Sequence, residues 1–292
     1  MSLIEMTDIT KRFGATVALD DISLNFAESK IYGLLGRNGA GKSTLLNIIT
    51  NRIFPDKGSV KIGGKYIVSD ERSLRSVFYM TEENFYPDGC SLRALLYVSK
   101  EFYPETDIHY ALCLAEKFSL NPKKKVKALS TGYLSILKAI ITLSSNASIL
   151  IFDEPLKGLD PNHREMLYRE ILANYASKEK TIIISSHLIE EISTLLEEAV
   201  IIKSGKIILQ EPVETIFQKS FVVTGEKSRV REFTESLYVL SSTALGQREE
   251  ALLFDDIAQD RIQVGKDHGL DISHASLQKI FIGLTNMGGS HE

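Results

Sequence analysis

The chain has 292 residues, of which 43% are hydrophobic and 25% are charged, and its formal net charge is −4 at pH 7. These values are typical of a globular protein and exclude a disordered, collagen-like or disulfide-stabilised chain. The weakly acidic balance argues against nucleic acid as a partner. The longest apolar runs, residues 149–152 and 182–184, are far shorter than the roughly 20 residues that a membrane-spanning helix needs. We therefore expect any membrane association to be peripheral, through a partner chain.

The first part of the chain predicts an antiparallel hairpin followed by a strand–loop–helix unit. Residues 4–10 and 17–26 alternate apolar and polar side chains around a turn at residues 11–14, the pattern of half-buried strands. Residues 31–35 predict a buried strand, and residues 42–50 carry helical spacing after a glycine-rich loop. A strand at residues 59–62 completes this region.

Helices and strands alternate through the middle of the chain, which predicts a mainly parallel sheet with helices on both faces. The predicted elements are two helical segments between residues 92 and 120 that Pro104 separates, a helix from Gly132, a strand at 149–152, a helix from Pro161, a strand at 181–185, a helix from Leu188, and a hairpin of 200–202 with 206–209.

A domain boundary is predicted near residue 219, after the closing hairpin. Residues 220–292 predict a small α+β appendage. Its predicted elements are a strand at 221–223, a helix at 230–240, an apolar segment at 251–254 and a last helix at 276–285.

The glycine-rich loop fits the phosphate-binding pattern GxxxxGK[ST] and lies between a predicted strand and a predicted helix, as that pattern requires. It consists of Gly36, Arg37, Asn38, Gly39, Ala40, Gly41, Lys42, Ser43 and Thr44. Backbone N–H groups of such a loop surround a phosphate, and the following helix adds the positive end of its dipole. We predict that Lys42 reaches the β- and γ-phosphate oxygens and that Ser43 binds Mg²⁺. A glycine turn without a ligand is the alternative.

Two adjacent carboxylates, Asp153 and Glu154, follow the apolar segment 149–152. Open α/β sheets bind their ligands at the carboxyl ends of the strands. We predict that Asp153 holds hydrated Mg²⁺ and that Glu154, which points the other way, orients or deprotonates an attacking water. Either carboxylate could instead cap a helix, although Pro155 disfavours an ordinary helix start there.

Over residues 4–217 the chain resembles the nucleotide-binding subunits of ABC transporters, because further motifs of that family follow in its order. They are Phe13 as the aromatic residue that stacks on adenine, residues 77–83 as the Q-loop, residues 129–133 as a variant of the LSGGQ signature, residues 158–160 as the D-loop and His187 as the switch histidine.

The resemblance implies an ABC-type P-loop ATPase core over residues 1–219, with an antiparallel β subdomain and a helical subdomain at about 84–145. Residues 220–292 would form a C-terminal accessory domain. The family binds ATP and Mg²⁺ in a head-to-tail dimer and drives a separate membrane-spanning permease. The second subunit would be a copy or a paralogue, and the complex would lie at the cytoplasmic face of the cell membrane.

The resemblance also implies roles for five residues outside the phosphate loop, and four of them have a simpler alternative. Ser130 and Gly132 would contact the γ-phosphate held by the second subunit, although Ser130 could also cap the following helix. Asp160 would lie at the dimer interface, or cap the helix that begins at Pro161. His187 would be catalytic, or a histidine at a helix start. Without the resemblance, Phe13 would be assigned to packing.

Three positions depart from the usual family pattern. Glu82 replaces the Q-loop glutamine, and we expect it to contact Mg²⁺ through water, since a carboxylate near the γ-phosphate adds a repulsive charge. Thr131 and Tyr133 replace glycine and glutamine in the signature. Such variants resemble the ABC-2 type exporters, a group that handles drugs, peptides or polysaccharides.

Two rival functions share parts of this pattern. A soluble ABC ATPase that remodels ribosomes or DNA would resemble tandem cassettes or cassettes split by long coiled coils, and this chain has one cassette without a sustained heptad pattern. A small-molecule P-loop kinase would share the phosphate loop, but Glu154 and His187 favour hydrolysis.

Overall fold

The computed structural model describes residues 2–177 and 179–286. Backbone contacts divide the chain into two compact units. The first unit comprises Met1–His187 and Ile202–Ile207, and the second comprises Leu188–Ile201 and Ile208–Glu292. In the described residues, no helix combines the length and the hydropathy needed to cross a bilayer.

The first unit combines an antiparallel region, a parallel region and a group of helices. Its strands are β1 (Ser2–Phe13), β2 (Thr16–Ala27), β3 (Ile31–Leu35), β4 (Lys57–Ile62), β5 (Lys65–Tyr66), β6 (Val77–Met80), β7 (Ile149–Asp153) and β8 (Thr181–Ser186). Its helices are α1 (Lys42–Ile49), α2 (Glu71–Leu74), α3 (Leu92–Phe102), α4 (Ile108–Lys117), α5 (Thr131–Ser144) and α6 (Pro161–Ser177).

Strands β2, β1, β4 and β5 form an antiparallel sheet in that order. The predicted hairpin is confirmed, with Met6 opposite Leu24 and Phe13 opposite Thr16. The turn is tighter than predicted because β1 continues through Phe13, and Gly14 adopts a φ of +59°. Glycine adopts this left-handed conformation without steric cost.

Strands β3, β8, β7 and β6 run parallel in that order. Every residue of β3, β7 and β8 is buried, which explains their continuous apolar sequences. The register places Asp153 opposite Ser185 and Leu35 opposite Ser186. The carboxyl ends of three strands therefore meet at one edge of the sheet.

Side-chain caps mark where three helices of this unit begin. Ser91, Asp107 and Ser130 accept hydrogen bonds from the backbone of α3, α4 and α5 respectively, which satisfies donors left free in the first turn. The predicted break at Pro104 is confirmed, because α3 ends at Phe102 and α4 begins at Ile108.

The second unit contains a second antiparallel sheet with helices. Its elements are α7 (Ile189–Ile192), part of β9 (Glu198–Lys203) and β10 (Lys206–Pro212), α8 (Val213–Lys219), β11 (Ser220–Glu226), α9 (Lys227–Thr234), β12 (Val239–Leu245), β13 (Arg248–Phe254), α10 (Gln259–Asp267), β14 (Asp271–His274) and α11 (Leu277–Asn286). From β11 to β14 the elements follow a β-α-β-β-α-β order with the strands arranged β12-β13-β11-β14. Their buried core includes Phe221, Val223, Leu253 and Ile272.

The structure corrects the predictions for the second unit at several places. The predicted helix at residues 230–240 is wrong in its last part, because α9 ends at Thr234 and residues from Val239 form β12. Pairing with β13 through a turn at Gly246, whose φ is +66°, decides this conformation. Helix α10 and strand β14 were not predicted, and α7 has only four residues.

The predicted domain boundary coincides with the first residue of β11, Ser220. The compact units divide the chain differently, since Leu188–Ile201 and Ile208–Glu292 form one unit. The assignment of residues 220–292 as a separate accessory domain stays a prediction.

Candidate active site

The predicted phosphate loop connects β3 to α1. Gly39 and Gly41 adopt φ values of +80° and +112°, a region that other residues enter only with strain. A Cβ atom on Gly41 would lie 2.8 Å from the carbonyl oxygen of Ala18 and from a methyl carbon of Leu19. The backbone path of the loop therefore depends on glycine at position 41.

We expect Gly41→Ala to destabilise the chain by at least about 2 kcal/mol, because backbone strain and a backbone clash add together. Gly39→Ala is the matched control: its φ is also positive, but an added Cβ would meet no atom within 4 Å. Its expected cost is about 1 kcal/mol, from strain alone. Urea unfolding measures both values, and equal losses would refute the proposed clash.

Lys42 lies at the start of α1 and its side chain is bent back over the loop. The residue is 7% exposed, and its Nζ donates to the carbonyl oxygen of Gly36 over 2.7 Å. Burial lowers the pKa of Lys42, while the nearby charges of Glu154, Asp153 and Glu82 oppose that shift. The loop thus holds one buried cation among three carboxylates.

Asp153 ends β7 and is 2% exposed. Its Oδ1 accepts a hydrogen bond from the hydroxyl of Ser185, and its Oδ2 accepts one from the hydroxyl of Tyr79 over 3.0 Å. Burial raises the pKa of Tyr79, and the charge of Asp153 raises it further. The phenol therefore keeps its proton and donates a hydrogen bond to Asp153. Two neighbouring strands therefore orient the Asp153 carboxylate.

Glu154 follows directly in a strained conformation. Its φ is +50°, and its N–H donates to the carbonyl oxygen of Ser185 over 3.0 Å. A non-glycine residue in this region costs free energy and persists where surrounding contacts enforce it, often at functional sites. Oε2 of Glu154 lies 2.8 Å from Nδ1 of His187, whose side chain is half exposed. The structure therefore brings Glu154 and His187 together.

Glu82 follows β6 and carries two separate attachments. Its Oε1 accepts a hydrogen bond from Nζ of Lys157 over 2.6 Å. Its backbone carbonyl, together with that of Thr81, accepts a hydrogen bond of 2.8 Å from Nζ of Lys138 in α5. The hydrogen bond from Glu82 raises the pKa of Lys157.

These groups meet at a cavity of about 270 Å³. The residues that line it are Thr16, Val17, Ala18, Arg37, Asn38, Gly39, Gly41, Lys42, Ser43, Thr44, Glu82, Asp153 and Glu154. Most of the predicted phosphate loop and all three predicted metal-binding residues therefore face one space. Gly36 and Ala40 are buried beneath the loop, where their carbonyl oxygens accept hydrogen bonds from Lys42 and Gly205.

Besides Gly36 and Ala40, five predicted site residues lie outside this lining. One of them is His187, which contacts Glu154. Phe13 is 52% exposed, with Nζ of Lys11 5.5 Å from its ring centre. Ser130 caps α5, and a Cβ on Gly132 would lie 2.5 Å from the carbonyl oxygen of Gly158. Oδ1 of Asp160 accepts a hydrogen bond from the backbone N–H of His163 over 3.0 Å, and Oδ2 lies 2.6 Å from Nδ1 of the same histidine. The capping alternatives for Ser130 and Asp160 are thus present in this chain.

Sequence reasoning missed the residues that support the site. Ser185, Lys138 and Lys157 contact predicted site residues but belong to no motif. Tyr79 lies in the segment predicted as the Q-loop, but its hydrogen bond to Asp153 was not predicted. The one sequence signal for Ser185 was its position at the end of the predicted strand 181–185. Strands β7 and β8 are adjacent, and their register places Ser185 opposite Asp153.

A larger cavity, of about 740 Å³, lies in the second unit beside α9 and α10. Its two arginines are engaged with backbone: Arg229 donates to the carbonyl of His268, and Arg261 to that of Phe233. This cavity lacks the glycine-rich loop and the adjacent carboxylates of the site in the first unit.

Comparison with known proteins places the chain in a family. Residues 19–157 match the family model described as "ABC transporter". The chain is 30% identical over 193 residues to the ABC transporter ATP-binding protein YtrB of Bacillus subtilis, covering 66% of each protein. It is 33% identical over 218 residues to the lantibiotic transport ATP-binding protein SrtF of Streptococcus pyogenes, covering 72% of this chain and 90% of SrtF.

A solved ATP-binding cassette, described as dimeric and bound to ADP and phosphate after hydrolysis, has a similar fold. Its TM-score is 0.64 at 22% identity, over 72% of this chain and 98% of that one. The chain belongs to the ATP-binding proteins of ABC transporters. It is accordingly an ATP-binding subunit with an ABC-type ATPase domain, and the predicted family and P-loop fold are confirmed.

Proposed function

We propose that this chain is the ATP-hydrolysing motor subunit of an ABC transporter and that it drives export through a separate membrane-spanning permease. The observation that carries this proposal is the convergence of buried Lys42, Asp153 and Glu154 on the cavity above the phosphate loop. Phosphate-loop ATPases need these groups: backbone N–H donors and a lysine for the phosphates, and carboxylates for metal and water.

The donor set of the cavity fits Mg²⁺. Ser43 offers a hydroxyl and Asp153 a buried carboxylate, and magnesium prefers oxygen ligands while keeping several waters and nucleotide phosphates. The described residues hold no group of three or more His, Cys, Asp or Glu side chains arranged for a metal, so the phosphates and water would complete the shell. The ion would neutralise charge on the transferring phosphoryl group.

Glu154 is the proposed general base. Its carboxylate would accept a proton from the water that attacks the γ-phosphorus, yielding ADP and inorganic phosphate. His187, 2.8 Å away, would hold that carboxylate in place and contact the γ-phosphate side of the cavity. Asp153, fixed by Tyr79 and Ser185, would remain ionised at the metal position.

A head-to-tail dimer would complete the site. Ser130 and Gly132 lie at the N-terminus of α5, where backbone N–H groups and the helix dipole favour an anion. This end of α5 is exposed at Ser130, so it is available to a phosphate held by another chain. Phe13, also exposed, would stack on adenine, and Asp160 would lie at the dimer interface. The dimeric state of the related cassette supports this arrangement.

Coupling to the permease would use the segment that follows Glu82. Phe85 is 67% exposed, whereas Tyr86 is turned inward and lines a groove beside Arg52. Of these two aromatic side chains, Phe85 is therefore the one available to a permease. Such contact would hold the chain at the cytoplasmic face of the membrane. The description of SrtF, lantibiotic transport, supports a drug, peptide or similar compound as cargo.

We expect Phe85→Ala to lower the stimulation of ATPase by the membrane partner at least about threefold, because the contact would lose an aromatic side chain that it would otherwise bury. Tyr238→Ala, which removes an aromatic side chain of 52% exposure from the second unit, is the control. The measurement is the ratio of ATPase rates with and without the partner. An unchanged ratio for Phe85→Ala would place the docking contact elsewhere.

The proposed function is tested by isolating the tagged chain from its native membranes. Co-purification of a membrane-spanning protein and hydrolysis of MgATP are the expected results. Association with ribosomes or DNA would support the remodelling alternative. Hydrolysis that requires an added phosphate acceptor would support a kinase.

A further inference from the structure

The ion pair between Glu82 and Lys157 joins two segments that border the same cavity. Nζ of Lys157 lies 2.6 Å from Oε1 of Glu82, and the two side chains are 57% and 40% exposed. The backbone N–H of Lys157 donates to the carbonyl oxygen of Glu154 over 3.2 Å. The lysine therefore extends from the turn after the proposed base to the loop after β6.

A second lysine holds the backbone of the same loop. Lys138 is 6% exposed, and its Nζ donates to the carbonyl oxygens of Thr81 and Glu82. Burial lowers the pKa of Lys138 to about 8, against the opposing effects of Glu82 and Asp153. Two lysines from different elements thus fix Glu82 by its backbone and by its side chain.

Charge explains why this attachment matters for a nucleotide. Three carboxylates, those of Glu82, Asp153 and Glu154, line the cavity with Lys42. Asp153 has two hydroxyl donors and Glu154 has His187, whereas the side chain of Glu82 has Lys157. A third carboxylate without a cation would repel the triphosphate, which is itself polyanionic.

We propose that Lys157 is a positioning residue for ATP binding: it neutralises Glu82 and holds its carboxylate, while Lys138 fixes the loop backbone. The proposal rests on the proposed function, since it concerns the same cavity. An ion pair at this exposure contributes little to stability. Its effect is therefore expected in nucleotide affinity rather than in folding.

A double-mutant cycle on the full chain tests the proposal. The probe is the magnesium complex of the ATP analogue whose β- and γ-phosphates are bridged by an imido group, measured by calorimetric titration. Lys157→Ser should weaken binding about fivefold, because Glu82 then faces the phosphates alone. Glu82→Gln should tighten binding by up to about threefold, since Lys157 then adds an unpaired positive charge. The double variant should return to within about threefold of the parent.

Lys279→Ser is the matched control, because Lys279 pairs with Glu250 at 3.2 Å and the two are 49% and 39% exposed in the second unit. Lys279→Ser should leave the affinity for the ATP analogue unchanged. Unchanged affinity for Lys157→Ser would overturn the proposal. A double variant that binds as weakly as Lys157→Ser would also overturn it, because Lys157 would then act on the structure and not on the charge of Glu82. The cycle measures binding only. A chain that binds the analogue but hydrolyses no ATP would refute the proposed function and leave the result for Lys157 standing.

Discussion

Glu154→Gln is expected to lower ATP turnover by a factor on the order of 10² or more while ATP binding is retained. Glutamine keeps the shape and the contact with His187 but cannot accept the proton of the attacking water. The rate constant of hydrolysis should fall, whereas the affinity for ATP should not change. Phosphate release under single-turnover conditions and equilibrium binding of ATP measure the two quantities separately.

The control is Glu165→Gln, an exposed glutamate of α6 that pairs with Arg169. It should hydrolyse ATP at the parent rate. ATP should accumulate in the Glu154→Gln chain, and a doubled mass in light scattering would be the sign of the closed dimer. Hydrolysis by Glu154→Gln at the parent rate would mean that Glu154 is not the base.

Lys42→Ala is expected to weaken ATP binding at least about thirtyfold, or about 2 kcal/mol, because a charge-assisted contact to the phosphates is lost in a buried site. The ammonium acts on the bound nucleotide as well as on the transition state, so affinity itself should fall. The same calorimetric titration measures it. Circular dichroism serves as the check on folding, since the variant leaves the carbonyl of Gly36 without its Lys42 donor. Unchanged affinity would refute the phosphate-loop assignment.

The local parts of the site could be predicted from the sequence. The phosphate loop needs its glycines and lysine in consecutive positions, and the strand before it and the helix after it have clear periodicities. Asp153 and Glu154 likewise directly follow the apolar residues of β7. Residues this close in the chain must also be close in space, so a pattern in the sequence predicts the arrangement.

The contacts that support the site could not be predicted in this way. Glu82 and Lys157 are 75 residues apart, and Glu82 and Lys138 are 56 apart. A lysine in a helix without other charged residues carries no signal for its partner, and a charged residue in a turn is ordinary. The prediction that Glu82 contacts Mg²⁺ through water was based on the charge of Glu82 alone. Only the folded chain brings Lys157 next to this carboxylate.

The second unit was the least predictable part of the fold. Residues 239–245 alternate weakly, with Ser241 and Ser242 in the middle of the strand, and their conformation depends on pairing with β13. Glu249 on β13 supports this pairing because it accepts a hydrogen bond from the hydroxyl of Ser242. Strand preference depends on such neighbours more than on the residues themselves.

The proposed function depends on hydrolysis of ATP in the cavity above the phosphate loop. The decisive measurement is phosphate release from MgATP by the purified parent chain, alone and with the membrane protein isolated with it. We expect magnesium-dependent release that requires both Lys42 and Glu154. Absence of phosphate release in both preparations, or release that persists in Glu154→Gln, would contradict it.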